Sequence, residues 1–369
     1  METIRQERME RVKQLMRSRN LDGILICCCV PGNLNTWLLA AEDMPLHLPY
    51  NRNNLLLVLP DGTAAQYWGR QPHPTDRGGR FPLFCESELP VFRRLGLVNP
   101  AALKCGVREH LQKTSPSVEL VDITRDFHLL CAQTTAADVQ GVEQATAVME
   151  RAFSALPLLL TGQPTEREFA ARLRNRVREL GAECEDLGTS AFLELTSAPD
   201  GGTSVPEPVL WPGRRLEYGD RVNVLLQGFL PGGFASALGR SCILGEPSEE
   251  ARKNWDLALQ AQQLAASCAV PGATVAQITA RVRQEILEPA GLPAYTGCQI
   301  HGISADVQAL PRDFDDSRDL PLQENMILVL AIRIAPPGKD PYCCMDPFAV
   351  TPQGARRLST LPQELIVLD

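Results

Sequence analysis

Three residues are the candidates for a general acid or base in this sequence. His301 is the strongest candidate, because the pKa of an unperturbed imidazole, about 6.5, lies near neutral pH. Asp346 is a candidate for orienting His301, and Glu207 is a candidate base or substrate clamp in a loop. Each also has an alternative, purely structural interpretation. His301 could be a core histidine on a strand, Asp346 could begin an Asp-Pro turn, and Glu207 could be a solvated loop carboxylate. The three are therefore candidate catalytic residues.

Two arginines and one cysteine are candidate substrate-binding residues. Arg240 and Arg333 lie in strand-like segments, and a guanidinium can hold a carboxylate through two parallel hydrogen bonds. Cys343 lies two residues before Met345, so both side chains share a face if this segment is a strand. Together with His301, this cysteine would form a Cys–His pair or a soft metal site. The alternatives are surface ion pairs for the arginines and a buried, apolar thiol for the cysteine.

Charge and missing motifs exclude several classes of protein. The 369 residues include 36 basic and 44 acidic side chains, a net charge of -8. Such a surface repels phosphate backbones and anionic membranes, so we expect neither nucleic acid nor a membrane as partner. The charged residues 1–8 do not resemble a secretory signal, which favours a cytoplasmic location. No G-x-S-x-G, Walker or G-x-G-x-x-G motif supports a serine hydrolase or a nucleotide-binding protein.

The hydrophobic pattern predicts two blocks of helices and strands. In the first block we predict helices at 4–19 and 33–39, strands at 21–29, 54–60, 64–68, 105–108 and 118–122, and a loop at 70–80. In the second we predict helices at 136–160, 165–181, 248–268 and 274–290, and strands at 190–195, 221–226, 234–244, 299–304, 326–334 and 348–351. Asp61-Gly62 predicts a hairpin turn, and Thr165 predicts a helix N-cap. We expect an α/β domain over 1–133 and an α+β domain over 134–369.

Short motifs follow one another in the second half of the chain. They are Arg214–Asp220, Gly233–Ser241, Gly245–Ser248, Val270–Thr274, Ile300–Ser304, Asn325-Met326 and Val350–Gly354. Their order resembles that of the creatinase, prolidase and aminopeptidase P family (peptidase M24), with its R-x-L-x-x-G-D, G-Y-x-S-D-x-T-R-T and G-H-G-I-G motifs. The resemblance implies a ribonuclease H-like N-terminal α/β domain followed by an α+β pita-bread domain. It also implies a homodimer.

The resemblance further implies where metal ligands would lie. The family binds two metal ions through two aspartates, one histidine and two glutamates, and the matching positions are Leu225, Ala237, His301, Ala331 and Met345. A shift of one residue at the first aspartate, to Leu226, restores no carboxylate. Hydrocarbon side chains and one imidazole cannot hold two divalent cations, so we expect no metal and no cofactor.

Creatinases, the metal-free members of that family, provide a second comparison. Residues 236–241 (S-A-L-G-R-S) resemble the creatinase stretch T-A-L-E-R-T. However, the loop at 201–210 lacks the histidine that serves creatinases as a base, and their two guanidinium-binding glutamates correspond to Ala331 and Met345. Creatine hydrolysis is therefore not expected.

Three functions remain open from the sequence. The first is a metal-independent hydrolase, or a binder, of a small amino-acid-like molecule, with His301 as the base. The second is a catalytically inactive binding or scaffold protein. The third is an ordinary Xaa-Pro aminopeptidase or dipeptidase.

Overall fold

The computed structural model describes residues 2–28, 54–67, 91–103, 105–181, 193–199, 213–229, 234–292, 297–303 and 309–368. These residues form two compact units, which separate in sequence between Cys131 and Ala132. Compactness alone does not establish independent folding, so the domain limits of 1–133 and 134–369 stay predictions. The helix expected at 33–39 and the loop expected at 70–80 lie outside the described residues.

The N-terminal unit is built on a five-stranded sheet with the order β3-β2-β1-β4-β5. Its strands are β1 Gly23–Cys28, β2 Asn54–Val58, β3 Ala64–Tyr67, β4 Arg94–Val98 and β5 Glu119–Asp122, and its helices are α1 Glu2–Arg19, α2 Cys105–Thr114 and α3 Thr124–Ala132. β1 pairs antiparallel with β2 and parallel with β4. Leu25, Leu57 and Leu97 belong to one buried apolar cluster of this sheet. The unit is therefore of the α/β type.

The predicted hairpin turn is present between β2 and β3. Gly62 has a φ of 91°, in the left-handed region that favours glycine. The Asp61 carboxylate accepts hydrogen bonds from the backbone N–H of Thr63 at 2.7 Å and from its hydroxyl at 2.9 Å. The two strands are antiparallel, as the Asp-Gly signal predicts.

The strand predicted at 105–108 is wrong. These residues form the first turn of α2, and the strand that pairs with β1 and β5 is β4. Within β4, a Cβ on Gly96 would lie 2.8 Å from the Leu21 side chain and 2.8 Å from the Ile123 side chain. A four-residue apolar pattern does not distinguish a strand from a helical turn, so contacts with distant residues decide between them.

The C-terminal unit contains five α-helices within the described residues. They are α4 Ala136–Ser154, α5 Leu156–Leu159, α6 Glu166–Glu179, α7 Glu249–Cys268 and α8 Val275–Val282, and a π-helical turn, Arg283–Leu287, follows α8. The single helix predicted over 136–160 is interrupted, because Pro157 lacks the N–H that a continuous helix needs. Thr165 caps α6 as predicted: its hydroxyl accepts from the N–H of Glu168, whose carboxylate accepts from the N–H of Thr165.

A nine-stranded sheet forms the centre of this unit. Its strands are β6 Leu193–Pro199, β7 Asp220–Phe229, β8 Ala235–Leu244, β9 Gly297–Gly302, β10 Ala309–Arg312, β11 Ile327–Ile334, β12 Tyr342–Thr351, β13 Gly354–Arg357 and β14 Ile366–Leu368. Seven of them follow the order β10-β9-β11-β12-β8-β7-β6, while β13 pairs with β12 and β14 with β8. The sheet is largely antiparallel, with β14 running parallel to β8.

Side chains alternate between the two faces of this sheet. His301 of β9 pairs with Val329 of β11, whereas Asp346 of β12 pairs with Leu330, the next residue of β11. Because consecutive residues of a strand point to opposite faces, His301 and Asp346 lie on opposite faces. We call these the His301 face and the Asp346 face. Helix α7 packs on the Asp346 face, where Gln262 donates a hydrogen bond to the Leu330 carbonyl at 3.1 Å.

No helix among the described residues is both long enough and apolar enough to cross a bilayer.

Candidate functional site

Strand register brings the four apolar ligand positions to the His301 face. Ala331 lies two residues from the strand partner of His301 and pairs directly with Met345. Met345 pairs with Gly239, and Gly239 pairs with Leu225 on the next strand. Ala237 lies two residues from Gly239 and therefore shares this face. The structure thus gathers on one surface the positions that the family motifs select.

These positions are packed rather than solvated. Leu225, Ala237, Ala331 and Met345 are 2%, 0%, 5% and 2% exposed, and all belong to one hydrophobic cluster. A Cβ added to Gly239 would lie 3.0 Å from Leu225 Cγ and 3.0 Å from Met345 Cβ. The glycine therefore leaves the space that the leucine and the methionine fill.

The neighbouring Leu226 does not alter this assignment. Leu226 belongs to a second hydrophobic cluster, with Leu238 and Val224, and is fully buried. Its side chain points to the other face of the sheet, as expected for the residue next to Leu225. Either assignment of the first aspartate position leaves a hydrocarbon side chain there.

The donor set on the His301 face does not fit a pair of divalent cations. Such ions take several oxygen or nitrogen ligands, and two-metal hydrolases bridge their ions with carboxylates. Among the five positions only His301 has an oxygen or nitrogen donor atom in its side chain, and Met345 has only a thioether sulfur, which suits soft metals. No group of three or more His, Cys, Asp or Glu side chains within the described ranges is arranged to hold an ion. The chemistry of these residues therefore supports no family-type metal centre.

His301 keeps the place that the motif gives it, near the apolar cluster. It lies in β9 and is 8% exposed. Ile303, two residues further along, belongs to the same hydrophobic cluster as Ala331. The role of His301 as a base stays a prediction.

Asp346 and Arg240 do not join His301. Both lie on the Asp346 face, where the Arg240 Nη2 to Asp346 Oδ1 distance is 2.7 Å and both side chains are fully buried. Asp346 also accepts hydrogen bonds from Arg357 at 3.0 Å and from Gln262 at 3.2 Å. The expectations that Asp346 orients His301 and that Arg240 holds a substrate are therefore corrected, because these groups bond to one another inside the protein.

The charges of this buried cluster stabilise one another. Burial alone would lower the pKa of Arg240, but the adjacent Asp346 carboxylate contributes to raising it above its ordinary value. Burial raises the pKa of the Cys344 thiol to about 12, despite the guanidinium of Arg240 beside it. Arg240 therefore stays charged and Cys344 stays protonated at neutral pH.

Arg333 and Cys343 are a cross-strand pair on the His301 face. Cys343 shares this face with Met345, as the strand pattern predicts, and its backbone N–H donates to the Ser241 hydroxyl at 2.8 Å. From His301 to Cys343 the path crosses two strand spacings and four residues, roughly 16 Å on a flat sheet. The structure therefore does not assemble the suggested Cys–His pair. Substrate binding by Arg333 or Cys343 stays a prediction.

The third candidate catalytic residue, Glu207, lies outside the described residues. Sequence reasoning missed two residues that determine what Asp346 does, namely Gln262 of α7 and Arg357 of β13. They reach Asp346 from separate elements, and no motif links them in the sequence. Only the folded arrangement reveals them.

A comparison with models of known protein families identifies a family that this chain matches. Residues 140–357 match "Metallopeptidase family M24", which covers more than half of the chain. The chain belongs to metallopeptidase family M24.

Individual proteins resemble the chain over two thirds or nearly all of its length. A Xaa-Pro dipeptidase of Pyrococcus horikoshii is 24% identical over 372 residues, 98% of this chain and 99% of the relative. A Xaa-Pro dipeptidase of Pyrococcus furiosus is 26% identical over 249 residues, 66% of this chain and 67% of the relative. The crystal structure of an X-Pro aminopeptidase from Thermotoga maritima superposes with a TM-score of 0.80 at 18% identity, covering 98% and 99% of the two chains.

These matches confirm the predicted family and fold class. The M24 chain combines an α/β N-terminal part of the ribonuclease H-like type with an α+β pita-bread part, like the prolidase and aminopeptidase structures. The sequence resemblance predicts the family's metal-ligand positions at Leu225, Ala237, His301, Ala331 and Met345. Four of these five side chains are apolar, and none of the five is a carboxylate.

Proposed function

We propose that this M24 protein works without a dinuclear metal centre, as a binding or scaffold protein rather than as a peptidase. One observation carries the proposal: Leu225, Ala237, Ala331 and Met345 pack together in a single buried apolar cluster. A metal site whose ligands were lost one at a time would strand the remaining carboxylates, whereas an apolar set forms a stable core.

The charged residues near this cluster support the same proposal. Arg240 and Asp346 satisfy each other on the opposite face of the sheet. They are therefore not presented to a substrate beside His301.

A metal-independent hydrolase is the second candidate function. Its base would be His301, and its remaining groups would come from Glu207 or from Arg333 and Cys343. The retained position of His301 on the former metal face favours it. The distance from His301 to Cys343 argues against a thiol nucleophile activated by this imidazole.

A Xaa-Pro dipeptidase is a further candidate, favoured by the relatives. The Pyrococcus horikoshii protein that matches 98% of this chain has that name. The missing carboxylates argue against the same activity here, because four of the five predicted ligand positions lack an oxygen or nitrogen donor atom.

Metal analysis combined with a peptidase assay separates these candidates. The purified chain is examined by elemental analysis, then assayed on Xaa-Pro dipeptides after dialysis with Mn²⁺, Co²⁺ or Zn²⁺, with the Pyrococcus horikoshii relative as the positive control. We expect neither stoichiometric metal nor hydrolysis. Hydrolysis abolished by a chelator would overturn the proposal in favour of a dipeptidase. Hydrolysis that survives the chelator and disappears in His301→Ala would establish the metal-independent hydrolase.

The partner and location expectations are also proposals. The family resemblance suggests a homodimer and a small amino-acid-like ligand, and the net charge of -8 disfavours nucleic acid and anionic membranes. A cytoplasmic location also stays a proposal. Light scattering on the purified chain measures the oligomeric state directly.

A further inference from the structure

A groove of about 470 Å³ lies at one end of the C-terminal unit, away from the apolar cluster. One wall is formed by α8 and the π-helical turn, and the other by residues that follow β10. The start of β9 contributes the floor. Cys298, which lines the groove, is three residues from His301 on this strand, so its side chain points to the Asp346 face.

The floor of the groove is apolar. Leu287 and Cys298 are 4% and 8% exposed, and Ala280 and Gly297 complete the lining there. Burial raises the pKa of the Cys298 thiol well above its ordinary value, so this side chain is a neutral, apolar surface at physiological pH. A small hydrocarbon group could rest on this floor.

The walls carry charges of both signs. Arg283 and Glu288 line the groove from the helical side, and Asp313 and Arg318 line it from the opposite side. Asp313 is held in place, since its Oδ2 accepts a hydrogen bond from the Ile300 N–H at 3.2 Å. The guanidinium of neighbouring Arg281 donates hydrogen bonds to the Glu285 carboxylate at 2.6 Å and to the Cys268 sulfur at 3.3 Å. Two guanidinium groups and two carboxylates thus line the groove around an apolar centre, and the charge of Arg318 already acts on the Asp313 carboxylate.

The helical wall has an unusual backbone. Residues Arg283–Leu287 form a π-helical turn, in which the Glu288 N–H donates to the Arg283 carbonyl at 2.9 Å, five residues back. A π-turn widens the helix and changes the directions of its side chains, and such turns occur frequently at functional sites. Here the turn supplies Arg283, Gln284 and Leu287 to the groove.

We propose that this groove binds a small zwitterion with an apolar side group, of the α-amino acid class. The carboxylate would pair with the guanidinium groups of Arg283 and Arg318, the ammonium with Asp313 and Glu288, and the side group would lie on Leu287 and Cys298. The volume lies within the range of roughly 300–1,000 Å³ that is usual for small-ligand pockets. This inference assigns a site to the small amino-acid-like ligand of the proposed function. It does not depend on the absence of a metal centre, because Leu225, Ala237, Ala331 and Met345 take no part.

Titration calorimetry with L-leucine tests the groove. The matched probes are N-acetyl-L-leucine, which has no ammonium group, and L-leucinamide, which has no carboxylate. We expect saturable binding of L-leucine and much weaker binding of both derivatives. Arg318→Gln and Asp313→Asn should each weaken L-leucine binding at least about tenfold, the loss expected from one hydrogen bond to a charged group. Arg125→Gln removes an exposed arginine of the other unit and should leave the affinity unchanged.

Thermal unfolding of each variant confirms that it is folded, and the isosteric Asp313→Asn keeps the acceptor for the Ile300 N–H. The proposal is overturned if L-leucine, L-valine, L-methionine and L-phenylalanine all fail to bind saturably. Binding that the Arg318 and Asp313 variants leave unchanged overturns it as well. Equal binding of N-acetyl-L-leucine and L-leucine overturns the zwitterion assignment. Metal found at the family positions would contradict the proposed function and leave these binding outcomes untouched.

Discussion

The guanidinium of Arg240 and the carboxylate of Asp346 lie 2.7 Å apart with neither side chain exposed to solvent. Two further groups, from Arg357 and Gln262, donate hydrogen bonds to the same carboxylate. A buried charge is tolerated only when it is paired and hydrogen-bonded, so the four residues act as one unit. They link α7 and β13 to the middle of the large sheet.

Removing the acid from this unit should destabilise the protein strongly. We expect Asp346→Leu to lower the free energy of unfolding by about 3–5 kcal/mol, because it leaves the buried Arg240 without its counter-charge. Urea denaturation followed by circular dichroism measures the change.

A double variant and a surface variant control this prediction. Arg240→Met combined with Asp346→Leu should be more stable than Asp346→Leu alone, since no uncompensated charge remains between them. Glu246→Gln, which removes the exposed ion pair with Arg252, should cost less than about 1 kcal/mol. A double variant less stable than the single one would contradict this account.

Gly239 should not accept a side chain. Gly239→Ala places a methyl group 3.0 Å from Leu225 Cγ and 3.0 Å from Met345 Cβ, so we expect a loss of about 1–3 kcal/mol in unfolding free energy from overpacking. Gly213→Ala is the matched control, because nothing lies within 4 Å of its added Cβ. Comparable denaturation midpoints for the two variants would show that the cluster is loosely packed.

The cysteines within the described part of the chain should differ in their reactivity toward alkylating reagents. Burial raises the pKa of both Cys242 and Cys344 to about 12, and only the thiolate attacks an alkylating reagent. Cys268 is partly exposed. We expect iodoacetamide to modify Cys268 in the native protein long before either buried thiol, as measured by peptide mass mapping. Modification of Cys344 at the rate of Cys268 would contradict the burial of the Arg240 cluster.

The half-buried Asp313 should make stability depend on pH. Burial raises its pKa, although the hydrogen bond from Ile300 opposes the change. A folded state with the higher pKa binds the proton more tightly than the unfolded state does. The ionised carboxyl therefore costs stability above the folded pKa, and this cost disappears as the pH falls below the unfolded value.

Asp313→Asn isolates this effect. Relative to the natural protein, the variant should be more stable at neutral pH and should lose that advantage as the pH falls toward about 4, the range in which free aspartate titrates. Thermal unfolding at a series of pH values measures the difference. If the stability advantage of Asp313→Asn instead grew as the pH fell, the pKa of Asp313 would not be raised in the folded state.

The sequence revealed a good part of the fold because several signals are local. The Thr165 cap, the Asp61-Gly62 hairpin and the apolar strand at 327–334 each depend on residues a few positions apart. The prediction that carboxylate ligands are absent also depends on local information, namely the residue types at motif positions. The helix break at Pro157 also follows from local chemistry, because proline lacks a backbone N–H. The prediction of one helix over 136–160 overlooked this effect.

The grouping of the candidate residues could not be obtained in this way. Asp346 adjoins Met345 and so points away from it, but the face that His301 takes depends on the register between β9 and β11. Register follows from packing along the whole sheet rather than from a local pattern. The same holds for β4, whose burial between two parallel neighbours outweighs a short and ambiguous pattern.

Gly239 also bears on how readily carboxylates could be accommodated at the predicted metal-ligand positions. Restoring an acidic side chain at Ala331 or Met345 alone would bury a charge among hydrocarbons, and restoring bulk at 239 alone would collide with Leu225. Each single reversal is therefore expected to yield a less stable protein before any benefit appears. Substitutions made one at a time would therefore meet a stability barrier at the first step toward a carboxylate-lined site.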